Sequence, residues 1–136
     1  GLRLGMAFAS KEIIGILDKV KPPYNINTAT QELVLKALEE VGQVNDMIKI
    51  IVDMREALAN VFRKMPTVEK VYPSDANFLL VKIADARAVY DFLLTRQIVV
   101  RDRSSVELCE NCLRITIGTE KENTLLVDAM QAWYNR

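Results

Sequence analysis

"CLRITIGTEKEN" (112–123) changes period in the middle of its run. Leu113, Ile115 and Ile117 fall on one face and Arg114, Thr116 and Gly118 on the other, the two-residue alternation of a half-buried β-strand. Thr119 and Glu122 then have the spacing of a capping box. Behind it, Leu125, Leu126, Ala129, Met130 and Trp133 recur at helical spacing. A one-sided strand that runs straight into an amphipathic helix predicts a sheet with helices packed against it.

The same alternation continues upstream. "IVVRDRS" (98–104) reads as a strand that forms a hairpin with 112–118, and "NFLLVKI" (77–83) and "VEKVYP" (68–73) read as another strand pair. Between the pairs, "DARAVYDFLLTRQ" (85–97) reads as a helix with Ala88, Val89, Phe92 and Leu93 inward. Residues 44–64 read as the longest helix. Ile48, Ile51, Val52, Leu58, Ala59 and Phe62 form one apolar stripe, and Met47, Ile50, Met54, Ala57 and Val61 form a second. Such a helix would lie between two bodies. The fold class is α/β (an α+β small domain), with helices on an antiparallel or mixed sheet.

The first 40 residues do not fit that layer. In "GLRLGMAFAS" (1–10), residues 2–9 read as a buried strand, and Ser10 would cap a helix over 11–19 with Ile13, Ile14 and Leu17 on one face. The two prolines of "KVKPPYNIN" (19–27) predict a loop over 20–27. Thr28 with Gln31 reads as a capping box opening a helix over 29–41, with Gly42 as its stop. A start in mid-strand reads as the back part of a larger protein. The expected division is a domain remnant over 1–42, a linking helix over 43–66 and a small domain over 67–136.

Composition narrows the chemistry. Eighteen basic and eighteen acidic residues cancel, and no basic stripe suggests nucleic acid. An RNA-binding sandwich is disfavoured because neither exposed strand aromatics nor a basic sheet face is evident. No apolar run approaches the ~20 residues of a membrane span, and no signal peptide is visible. The absence of histidine removes the commonest general base and any Ser-His or Cys-His pair within the chain. Cys109 and Cys112 lack the two further ligands of a zinc site. They also precede a strand, whereas a redox pair favours a helix N-terminus. They read as reduced cysteines of a cytosolic protein.

Three arginines remain as candidates. Arg114 leaves its strand on the face away from the core, where a guanidinium fork suits a carboxylate or phosphate. A hairpin would bring Arg101 beside it. The alternative is that each pairs with a nearby Asp or Glu. Arg3, between glycines in a strand that looks buried, needs an anionic partner, either a bound phosphate or an internal carboxylate. Asn77 could bond across a cleft or simply begin its strand. Tyr24 and Asn25 could meet a ligand or a partner subunit, or serve only the turn. Residue chemistry alone reaches an anion-binding α/β unit with no nucleophile, base or metal site.

"GLRLGMAFAS", "KVKPPYNIN", "PSDANFLLVKI", "QIVVRDRS" and "CLRITIGTEKEN" together resemble the class I/II aminotransferases, and more narrowly the histidinol-phosphate aminotransferase family. The resemblance implies a fold type I transferase of histidine biosynthesis that uses pyridoxal 5'-phosphate, a cytoplasmic homodimer. Related aminotransferases for aromatic or other amino acids, and threonine-phosphate decarboxylases, share its arginine logic. The family's Schiff-base lysine falls just upstream of "GLR-x-G", so the resemblance puts no catalytic residue in this chain and predicts that the chain alone is inactive and does not hold the cofactor. Arg3 would hold the cofactor phosphate. Arg114 would bind the carboxylate of glutamate or 2-oxoglutarate and the phosphate of histidinol phosphate, with Arg101 assisting. Met6 departs from the family, where an aromatic is frequent. Apolar surface on 1–42 and on the long helix would drive self-association. The reading from another class is a free-standing, non-catalytic module that binds an anion or a protein.

Overall fold

The computed structural model describes residues 4–23 and 25–136. The chain divides into two compact units, Gly1–Asn45 and Asp46–Arg136.

The first unit holds helix α1 (Lys11–Val20), helix α2 (Thr28–Glu39) and the start of helix α3 (Val41–Phe62). It corrects several expectations. Residues 4–10 form no strand, and Met6 and Phe8 are 65% and 93% exposed. A strand needs a neighbour for its backbone groups, and among the described residues no segment pairs with 4–9. Ser10 stands at the N-cap of α1 with extended backbone, but its side chain makes no capping bond. Neither α1 nor α2 has a buried residue, and of the expected face Ile13 and Leu17 are exposed while Ile14 is half-buried.

The cap of α2 is Asn27, not Thr28. Its Oδ1 accepts from the Thr30 N–H at 2.8 Å, as befits the stronger capping residue. Gln31 does not close a box on Thr28 but donates to the Ile26 carbonyl at 3.3 Å. Gly42 does not stop the helix either. Glu40 is already the C-cap, and α3 starts at Val41, which puts Gly42 in its first turn.

The second unit is a layer of helices on one four-stranded sheet. Strands β1 (Val68–Val71), β2 (Phe78–Ile83), β3 (Arg101–Asp102) and β4 (Cys112–Thr116) lie in the order β1-β2-β4-β3, every pairing antiparallel. Helix α4 (Ala86–Thr95) separates the pairs, and helix α5 (Glu120–Tyr134) follows β4. Leu79, Val81 and Ile83 of β2 and Leu113 and Ile115 of β4 are at most 2% exposed. They meet Leu58 and Phe62 of α3, Val89, Phe92 and Leu93 of α4, and Leu126 and Met130 of α5 in one core. Full burial of such a side chain contributes about 1.5–3 kcal/mol. The long helix is covered unevenly: Leu58, Ala59 and Phe62 are buried, whereas Met47, Ile48 and Ile50 stay more than half exposed.

Local chemistry sets the ends of the elements. Asp85 caps α4 by accepting from the Ala88 N–H at 3.2 Å. The helix closes with Ile98 N–H on the Leu93 carbonyl at 2.9 Å and Gln97 N–H on that of Leu94 at 3.0 Å, a Schellman pair. Gln97 therefore takes the left-handed position, at φ 60°. Ala86 is buried in α4 where Ala88 was expected; Ala88 is half-buried. The strand expected over 98–104 is cut to Arg101–Asp102 because turns hold both ends. The Schellman turn holds Ile98, and Asp102 Oδ1 accepts from the Ser104 N–H at 2.9 Å. At Thr119 the expected capping box is complete in both directions.

Both cysteines are free, Cys109 half-buried and Cys112 buried. Burial pushes the Cys112 thiol up, and the nearby Cys109 adds to the shift. No helix of the described residues is long and apolar enough to cross a membrane.

Candidate anion-binding site

The alternation in β4 has the outcome its sequence requires. Leu113 and Ile115 enter the core, and Arg114 stands half-buried on the open face. Arg101 is directly opposite Arg114 across the β3–β4 ladder, and Leu80 is opposite it on the other side. Directly opposed residues stand about 4.5–5.5 Å apart at Cβ, where like charges repel. Two such cations favour an anion that both can reach.

No internal carboxylate fills that role among the described residues. Their ion pairs involve Lys21, Arg55, Lys82 and Arg87, with neither Arg101 nor Arg114. The nearest carboxylate in sequence, Asp102, is engaged elsewhere. Ser104, whose N–H donates to Asp102 Oδ1 at 2.9 Å, holds that carboxyl below the usual range. The Arg87 guanidinium, 3.8 Å away, adds to this. Arg114 Nε is buried and has no hydrogen-bond partner. Its guanidinium carbon lies 5.1 Å from the centroid of the Phe78 ring, a cation–π contact.

The open face is richer in cations than expected. Phe78 pairs with Thr116 and so shares the face of Arg114. Lys70 pairs with Lys82 and lies 4.6 Å from the Tyr72 ring centroid. Phe78 and Tyr72 are half-buried, so the expectation that no strand aromatic is exposed is not overturned. The expectation of no basic sheet face is corrected, because Lys70, Lys82, Arg101 and Arg114 reach that face from four separated strands. Each ring already carries a cation, which leaves it poorly placed to stack a base.

The other candidates are placed as follows. Asn77 is exposed just before β2, and its carbonyl accepts from the Ile117 N–H at 2.9 Å, so it extends the ladder beside the site. Asn25 is exposed in the loop before α2 and belongs to the first unit. Arg3 and Tyr24 lie outside the described residues. Phe78 escapes a reading of the sequence because its partner comes from the register of another strand. Among the described residues, no group of three or more His, Cys, Asp or Glu could hold a metal ion.

Comparison with known proteins places this geometry. The family model "Aminotransferase class I and II" matches residues 1–130, and the chain belongs to that family. It is 49% identical over 132 residues to a histidinol-phosphate aminotransferase of Cytophaga hutchinsonii, covering 97% of this chain and 38% of that protein. It is 51% identical over 131 residues to the histidinol-phosphate aminotransferase of Parabacteroides distasonis, covering 96% and 38%. The crystal structure of the histidinol-phosphate aminotransferase from Clostridium acetobutylicum superposes with a TM-score of 0.80 at 25% identity, over 92% of this chain and 38% of that one. The chain thus spans less than two fifths of the length of these relatives. The α/β class and the aminotransferase resemblance read from the sequence are borne out.

Proposed function

We propose that this chain is the C-terminal part of a histidinol-phosphate aminotransferase and supplies the arginines that bind the substrate's anionic group. The observation that carries the reading is the Arg101–Arg114 juxtaposition, with Arg114 Nε buried and unpartnered. Arg114 would take the carboxylate of glutamate or 2-oxoglutarate in one half-reaction and the phosphate of histidinol phosphate in the other. Arg101 would share the second load. Arginine suits the task because it stays charged at any working pH and can bind both oxygens of an oxyanion. One site serving two anionic substrates in turn implies ping-pong kinetics.

Pyridoxal 5'-phosphate supplies the electron sink of such reactions when bound. Of this chain's residues only Arg3 is assigned to it, and Arg3 lies outside the described residues. The chain's own part is therefore to bind and orient the substrate's anionic end. The division at 42 and 66, a cytoplasmic location and a homodimer belong to the same proposal. Self-association is supported by the uncovered apolar residues of α1 and α2, among them Ile16 and Leu35, each more than 60% exposed.

The test is turnover by the complete gene product that carries this chain. Histidinol phosphate with 2-oxoglutarate should be converted faster than aromatic amino acids, and threonine phosphate should not be decarboxylated. A preference for either alternative substrate would move the protein to that neighbouring activity. No turnover of any of them would favour a non-catalytic binding module.

A further inference from the structure

We propose that Phe78 and Arg55 are positioning residues that set the aim of the Arg114 guanidinium. The inference rests on the reading of Arg114 as the anion ligand, and adds to it the residues that hold this ligand in place.

Arg55, on α3, is 8% exposed, the one charged residue among the buried ones described. A charge there is costly unless it is bonded. Its Nη1 donates to the Ala76 carbonyl at 3.0 Å. Its Nε has no hydrogen bond, and Glu56, its ion-pair partner, is 3.6 Å away. An apolar side chain would fill this position at lower cost. What the arginine adds is a fixed link from α3 to the segment before β2.

Ser74 holds the same segment from within. Its hydroxyl donates to the Phe78 carbonyl at 2.6 Å and accepts from the Ala76 N–H at 3.2 Å. The backbone that delivers Phe78 is therefore tied by Ser74 and by Arg55. Phe78 in turn lies under the Arg114 guanidinium at 5.1 Å. Arg114 Nε has no hydrogen bond, so the ring is the contact that fixes the plane of this long side chain. None of the three links can be read from β4 alone, because α3, the segment before β2 and β2 itself provide them.

The test is a double-mutant cycle on the complete gene product, read as KM for glutamate and kcat. Phe78→Leu keeps bulk and removes the ring, and Phe78→Tyr keeps the ring. Phe78→Leu should raise KM about three- to tenfold with little change in kcat, and Phe78→Tyr should restore it. In an Arg114→Gln background, Phe78→Leu should have no further effect, since the contact it removes is already gone. Arg55→Met should move KM the same way, and Arg55→Lys, which keeps a charge and a donor, should move it less. An unchanged KM in Phe78→Leu, or an equal fold-change in both backgrounds, would overturn the positioning role. Wild-type KM in Arg114→Gln alone would instead overturn the anion reading beneath it.

Discussion

The Asn123 side chain holds both backbone groups of Gly118, accepting from its N–H at 3.0 Å and donating to its carbonyl at 3.1 Å. This clamp joins the end of the strand that carries Arg114 to the first turn of α5. A Cβ built on Gly118 would come within 2.9 Å of Glu122 Cβ, so the strand and helix meet with no room for a side chain.

Asn123→Ala should therefore cost about 1–3 kcal/mol, because two part-buried backbone groups lose their partner. Gly118→Ala should cost about as much through overpacking against a helical Cβ that cannot swing away. Urea unfolding of each variant would measure both. A loss below a few tenths of a kcal/mol in either would mean the clamp is not needed.

Gln97 occupies the left-handed position that closes α4, at φ 60°. Glycine adopts that backbone without the Cβ clash a glutamine meets. Gln97→Gly should stabilise the chain by about 0.5–1 kcal/mol and raise the denaturation midpoint. A lower midpoint would show that unfolded-state entropy or lost side-chain contacts outweigh the relief.

Two carboxylates of the second unit set an acid limit to its stability. The Thr119 N–H, at 2.7 Å, and its hydroxyl hold the Glu122 carboxyl below its ordinary 4.5. Asp102 is held below its ordinary 3.8 by Ser104 and Arg87. Both are depressed by folding, so their contribution is fully present above the ordinary values and is lost as pH falls through the lower, folded ones. Unfolding free energy should fall as pH drops below about 4.5. Glu122→Gln and Asp102→Asn should each make that fall shallower. Equal slopes in variants and wild type would show that these two groups do not set the acid limit.

Much of this fold is legible in the sequence, and the reason is local. β4 and α5 are specified by a clean alternation, a capping box and a helical stripe within two dozen consecutive residues, and they form as read except at Leu125, which is 52% exposed while Leu126, Ala129 and Met130 are buried. β2 and α4 are legible for the same reason. The segment 2–9 is different: its apolar pattern says strand, but a strand exists only with a partner, and among the described residues 4–9 have none. The roles of Asn27 and Gly42 are harder to read because capping residues compete over one or two positions, and the outcome depends on how the chain enters and leaves the helix. At the site, Arg114 follows from periodicity and Arg101 from the hairpin. Phe78 and Arg55 do not follow from either, because a register and a packed helix bring them there.

The most direct test of the central claim is the effect of Arg114→Gln on kcat/KM for glutamate and for histidinol phosphate, measured in the complete gene product beside wild type. Removing one side of a desolvated charge pair costs about 2–5 kcal/mol. Both kcat/KM values should then fall by about 30-fold or more, with the folded state retained. If both stayed within about threefold of wild type, a change too small for a lost charge pair, Arg114 would not be the anion ligand and the open face of this sheet would have another use.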